Sequence, residues 1–263
     1  MARTLEQWID DLQARGRYTF LRQEAIAGSG LSAEAVKKGL QRLAARRRVV
    51  KVKNYFYAIV PLEYRAAAAP PPAWFIGDLM VAMKLPYYVG LLSAAAMHGA
   101  SHQQPQEFQV MTNRSVRRIT VGRAKIRFFA SKYMAGAATV AMKTPAGVVA
   151  AATPETTAVD LARFSRSAGN LDNVATVISG LLPSLNASWL LAAVRNVDDV
   201  PNAQRLGYVL DRLQKRDLSG PIHEWVSRHH PRPQKLRSAL GAGDATKDCR
   251  WHLLVNGPIE FDA

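Results

Sequence analysis

The sequence predicts an α+β protein, and three observations carry that prediction. Two short segments of helical apolar spacing flank the turn Gly28-Ser29-Gly30. A basic, alternating hairpin pattern follows them as far as Pro61. Short alternating runs between residues 108 and 151 then give way to longer helical periods from residue 154 onward. The 263 residues are 48% hydrophobic and 21% charged, enough to bury cores for about two domains.

In chain order, Leu5, Trp8, Ile9 and Leu12 share one face of a first helix, with Thr4 as N-cap and Gly16 as its stop. Arg17 to Phe20 suits a short edge strand. A helix over Leu21–Ala27 ends at the Gly-Ser-Gly turn, and Ser32 caps the next helix, Ala33–Ala45, whose Val36, Leu40 and Leu43 lie on one side. Lys38, Gln41 and Arg42 point the opposite way. Val49–Val52 and Tyr55–Val60 form a hairpin around Lys53-Asn54. From Lys37 to Lys53 the charged residues are all basic: Lys37, Lys38, Arg42, Arg46, Arg47, Arg48, Lys51 and Lys53. A helix pair followed by a charged hairpin is the plan of a winged helix-turn-helix, with an amide-and-cation surface suited to a DNA groove. The net charge of +15 makes a polyanion the first partner to consider.

Ala66 to Ala73 contains three consecutive prolines and reads as a semi-rigid linker. The predicted division is residues 1–64 for the winged domain, 65–73 for the linker, 74–170 for a mixed α/β domain and 171–263 for a helical part with closing strands. In the third of these, Trp74–Leu85 reads as a helix, and the small-residue run from Pro86 to Gly99 as a segment buried against a sheet, with Ser93 packed and His98 at a helix end. Phe108–Thr112, Arg117–Val121, Lys125–Phe129, Thr139–Lys143 and Gly147–Ala151 read as strands. Between Glu107 and Glu155 no acid occurs, so Arg114, Arg117, Arg118, Arg123, Lys125 and Arg127 form a second positive field for DNA, RNA or an acidic partner. Thr153-Pro154-Glu155 starts a helix with an N-cap, a proline and a first-turn acid. Leu171–Leu182, Ala187–Val194 and Asn202–Lys215 read as a small helical bundle, Ile222–Arg228 as another short helix, and Trp251–Val255 and Ile259–Phe261 as closing strands.

Several chemistries lack their residues. The sequence has no GxxxxGK[ST] phosphate loop, no zinc-spaced His or Cys, and no Asp-x-Asp pair after Gly28-Ser29. The single Cys249 excludes an intramolecular disulfide. No catalysis, cofactor, metal or membrane span is expected, and the predicted location is the cytoplasm.

The ordered segments PYYVGLLSAAAMHGASHQQPQEFQVMT (86–112), TPETTAVDLARF (153–164) and QRLGYVLDRL (204–213), behind the helix-turn-helix, resemble the AbiEi antitoxins of bacterial type IV toxin–antitoxin systems over about residues 5 to 215. The resemblance implies a transcriptional autorepressor that binds inverted repeats in operator DNA, as a homodimer or as monomers cooperating on DNA. It also implies a second domain that counteracts a nucleotidyltransferase toxin, functionally and by contact in some relatives. DNA contacts carried over fall on Ser32, Lys37, Lys38, Gln41, Arg42, Arg48, Lys51 and Lys53. A different outcome is a protein-binding antitoxin that docks the toxin, or shields its RNA substrate, through the basic second domain without catalysis. The tail from Leu218 on lies outside the resemblance.

Overall fold

The computed structural model describes residues 4–100, 105–241 and 243–261, and the chain divides into two units. The first takes residues up to 88, 106–132 and 141–150; the second takes 89–105, 133–140 and everything from 151. Ser101 to Gln104, part of the 86–112 motif, lie outside the described residues.

Unit 1 opens with α1 (Leu5–Ala14), started by a capping box in which Thr4 and Gln7 exchange side-chain and backbone bonds. Strand β1 (Thr19–Leu21) leads into α2 (Arg22–Ser29), which ends where Gly30 takes the left-handed φ of +68°. The Ser32 hydroxyl accepts the Ala35 N–H at 3.2 Å and starts α3 (Ala33–Ala45). Strands β2 (Val49–Lys53) and β3 (Phe56–Ile59) complete an antiparallel sheet of order β1-β3-β2. Its core joins Trp8 and Ile9 of α1, Phe20 of β1, Val36 and Leu40 of α3, and Val49 and Ile59 of the hairpin. Each such side chain contributes about 1.5–3 kcal/mol by burial. Trp8 meets Phe20 edge to face at 5.2 Å.

A 3-10 turn, Pro72–Trp74, precedes α4 (Ile76–Ala82). This helix is shorter than the predicted Trp74–Leu85, because Lys84 turns to a φ of +55°. Strands β4 (Tyr87–Val89), β5 (Phe108–Thr112), β6 (Ile119–Val121), β7 (Ala124–Ala130), β8 (Thr139–Thr144) and β9 (Gly147–Ala152) form a sheet of order β6-β7-β5-β4-β9-β8. Strand β5 runs parallel to β7, pairing Val110 with Phe128, and β6 runs antiparallel to β7. The strand predicted from Arg117 begins only at Ile119. Strand β2 lies alongside β6 within this unit.

The segment 65–73, predicted as a linker, packs inside unit 1. Ala69 is 3% exposed, Pro70 is buried, and the Arg123 N–H donates to the Ala67 carbonyl at 2.9 Å. The physical reason is the β6–β7 turn: Gly122 sits so close that a Cβ there would lie 2.3 Å from the Ala67 carbonyl oxygen. Alanines leave room for that approach, and three prolines add no backbone donor that burial would orphan.

Unit 2 is mainly helical: α5 (Leu91–Met97), α6 (Pro154–Arg163), α7 (Asn170–Leu181), α8 (Ala187–Val197), α9 (Val200–Arg212) and α10 (Arg216–Arg228). The run from Pro86 to Gly99, expected as one segment buried against a sheet, divides into β4 and α5; helix α5 buries Leu91, Ser93, Ala94 and Ala95 and has the helices α6 and α7 among its neighbours. Helix α10 starts six residues before the predicted Ile222 and carries Pro221 inside it. In the tail, β10 (Gln234–Lys235), β12 (Leu253–Val255) and β11 (Thr246–Asp248) make a small sheet in that order. Ile259 is buried, yet Ile259 to Phe261 form no strand, a correction to the predicted closing pair. Trp251 anchors the tail: it is fully buried, its Nε1 donates to Asp211 Oδ2 at 2.8 Å, and its carbonyl accepts from Gln204 at 2.8 Å.

Candidate nucleic-acid interface and antitoxin domain

Helix α3 buries Val36, Gly39, Leu40 and Leu43, which leaves Lys37, Lys38, Gln41 and Arg42 exposed on its other side. Lys37 and Lys38 share one carboxylate, Glu34, at 3.9 and 4.0 Å, with all three side chains more than half exposed. Ion pairs of this kind contribute only ~0–1 kcal/mol and leave both amines open to other anions. Gln41 and Arg42 line a groove along α1 and α3, about 1070 Å³ in volume, and make no side-chain hydrogen bond or ion pair among the described residues. Arg46 meets Glu6 at 3.5 Å with both side chains well exposed, and Arg47 donates to the Arg65 carbonyl at 3.3 Å.

At the hairpin, Lys51 is exposed and Lys53 half-buried, its amine 3.8 Å from the Met83 sulfur. Asn54 takes the turn at a φ of +36° and Tyr55 is 62% exposed, with the Arg22 guanidinium 5.2 Å from its ring centre. Arg48 is placed differently from the reading that made it a DNA contact. Its side chain is 20% exposed, ion-paired with Asp10, and donates to Gln13 Oε1 at 2.7 Å. Both donors serve α1, so Arg48 holds the α1–hairpin corner.

The second positive field belongs to unit 1, the same unit as α3 and the hairpin. Arg114, Arg117, Arg123 and Lys125 are exposed. Arg118 and Arg127 converge on Glu107, at 3.0 and 3.9 Å, and Arg127 also covers the Phe129 ring at 4.8 Å. An acid just outside the acid-free stretch thus neutralises part of it. Sequence reading placed Glu107 at the border of the field and missed that strand pairing folds it back onto the cations.

In unit 2 the segment 153–164 is α6, with Thr153 as its N-cap. Glu155, Thr157 and Asp160 on it are almost wholly buried. Glu155 accepts the Asn186 N–H at 3.0 Å, and Asp160 holds Arg163 at 3.2 Å. Buried acids with such partners position neighbouring elements. His98 ends α5 and its Nε2 lies 2.7 Å from the Ala152 carbonyl, a positioning bond. Among the described residues no group of three or more His, Cys, Asp or Glu is placed to hold a metal, and no helix is long and apolar enough to cross a membrane.

Residues 88–212 match the family model of the AbiEi antitoxin C-terminal domain. No curated protein matches the chain. Among solved structures, a crystal structure of the RV2827C protein from Mycobacterium tuberculosis is similar, with a TM-score of 0.64 and 15% identity, over 95% of this chain and 92% of that one. That likeness shows a shared fold. Its coverage takes in the N-terminal helices and the tail beyond the family match. The match to the AbiEi antitoxin family is carried by residues 88–212.

Proposed function

We propose that this chain is an antitoxin and a DNA-binding repressor of its own operon, and that the toxin it counteracts is a nucleotidyltransferase. The observation that carries the DNA reading is the exposed face of α3, where Lys38, Gln41 and Arg42 stand beside a hairpin bearing Lys51 and Lys53. In this reading the elements from α1 to β3 are a winged helix-turn-helix, with α3 in the major groove and the β2–β3 hairpin as wing. Gln41 pairs with an adenine edge and Arg42 with guanine, each bidentate contact discriminating by about 1–3 kcal/mol. Lys37, Lys38, Arg46, Arg47, Lys51 and Lys53 bind phosphates, and Ser32 sits where the α3 N-terminus meets the backbone. Arg114, Arg117, Arg123 and Lys125, carried by the same unit, extend the phosphate contact. Two copies, as a homodimer or as cooperating monomers, occupy the halves of an inverted repeat.

The test is a binding series on variants of the inverted repeat upstream of the coding sequence. Gln41→Ala is expected to relax preference at one base position of each half-site. Lys51→Ala is expected to weaken all sequences alike and to flatten the salt dependence. Identical behaviour of the two variants across the series would overturn the division of roles.

A further inference from the structure

Unit 2 holds a pocket of about 510 Å³, within the ~300–1,000 Å³ span of small-molecule sites. Four arginines line it, Arg163, Arg166, Arg205 and Arg237, and no Asp or Glu does. Two of them come from the segments that carry the family resemblance: Arg163 from 153–164 and Arg205 from 204–213. Residues 236–240 of the lining come from the tail beyond the family match. The tail therefore contributes to the lining of a cationic site whose other residues lie within the family match.

Three of the four guanidiniums are fixed in place. Arg163 pairs with Asp160 at 3.2 Å and lies over the rings of Tyr133 and Phe164. Arg237 pairs with Asp172 at 2.5 Å. Arg205 donates to the carbonyls of Pro201, Lys235 and Leu236, and burial pushes its pKa below the ordinary guanidinium value, with Asp199 opposing the shift. Arg166 differs. It is exposed, reaches Ser238 Oγ at 3.5 Å, and has no carboxylate partner among the described residues. Helix α7 also begins at this pocket, with Asn170 and Leu171 in its lining, and its N-cap Gly169 offers no side chain to the first-turn N–H groups.

Four arginines in the lining with no carboxylate partner on Arg166 among the described residues, an uncapped helix start and no carboxylate among the lining residues select one ligand chemistry. Arginine forks match phosphate oxygens two at a time, and a helix N-terminus favours an anion. Phe164 adds an aromatic wall beside the cations. We propose that this pocket binds a small phosphate-bearing molecule of about nucleotide size, with Arg166 as the cation that closes on its phosphates. Its lining residues belong to unit 2, and the residues of the proposed DNA face to unit 1.

Calorimetric titration of the full chain with ATP, tripolyphosphate and adenosine tests it. ATP and tripolyphosphate are expected to bind at one site per chain and adenosine to show no binding. Tighter binding of ATP than of tripolyphosphate assigns a nucleotide, and equal binding a bare phosphate chain; either order supports phosphate recognition. Arg166→Glu is expected to weaken binding at least tenfold, and Arg166→Lys, which keeps the charge and loses the fork, by less. The double variant Lys51→Ala/Lys125→Ala is expected to bind as the wild type does, which separates this site from the DNA-facing cations. Absence of saturable phosphate binding, or binding that survives Arg166→Glu in a protein with wild-type circular dichroism, would overturn the proposal.

Discussion

Arg48 and Lys51 stand three residues apart in one basic run, and the structure gives them opposite expectations. Lys51 is exposed on the hairpin and has no ion-pair partner among the described residues. Arg48 is 20% exposed, ion-paired with Asp10 and bonded to Gln13. If Lys51 neutralises one phosphate, Lys51→Ala lowers the slope of log K against log salt by about 0.9. Over a fourfold rise in salt that slope unit corresponds to about a 3.5-fold smaller loss of affinity. Arg48→Ala is expected to leave the slope unchanged and to destabilise the fold instead. One half-buried charged hydrogen bond and one ion pair to a solvated Asp10 are lost, for about 1–2 kcal/mol. Fluorescence anisotropy on operator DNA at a series of salt concentrations, with urea unfolding of each variant, measures both quantities. A slope change in Arg48→Ala equal to that in Lys51→Ala, at wild-type stability, would refute the placement of Arg48 as a corner brace.

Two further outcomes follow from unit 2. Gly207→Ala puts a methyl 2.1 Å from the Trp251 ring, which Asp211 and Gln204 hold in place, so urea unfolding should show a loss of about 1–3 kcal/mol despite the ~1 kcal/mol helix-propensity gain of alanine. The Arg237 hydrogen bond holds the Asp172 carboxyl below its ordinary pKa. A depressed carboxylate contributes stability that is fully present above the unfolded value, about 4, and is lost as pH falls through the folded one; thermal melts of Asp172→Asn should therefore show a shallower loss of stability below about pH 4 than wild type.

Local chemistry was legible in the sequence. The Ser32 cap, the apolar side of Ala33–Ala45 and the Thr153-Pro154 start are set by neighbours within a turn, and each is where the residues indicate. Strand Phe108–Thr112 likewise lies where its residues indicate, although Gln109 to Thr112 are all buried and show no alternation. Long-range pairing was not legible. Asp10 lies 38 residues from Arg48, and nothing in a basic run tells which cation an earlier helix will claim. Glu107 meets Arg127 because β5 and β7 pair in parallel register, and Arg118 because β6 pairs antiparallel with β7. The Ala/Pro segment reads as a connector until a β-turn from residues 122–123 is seated on it. In the tail, Ile259 has the pattern of a strand residue, but the edge of β12 is taken by Gln234–Lys235, a parallel pairing no local signal announces. Helix α10 runs through Pro221, where only the one backbone bond to the Asp217 carbonyl is forgone. The four arginines of the unit 2 pocket come from segments spread over 75 residues and share no motif.

The central claim assigns DNA reading to α3 and its hairpin and toxin neutralisation to the domain that follows. Its most direct test expresses the double variant Arg42→Ala/Lys51→Ala from an independent promoter beside the toxin. Operator binding should be lost while cells still survive the toxin as they do with wild-type protein. Loss of protection in that variant, with the protein folded and at wild-type abundance, would contradict the separation of the two roles.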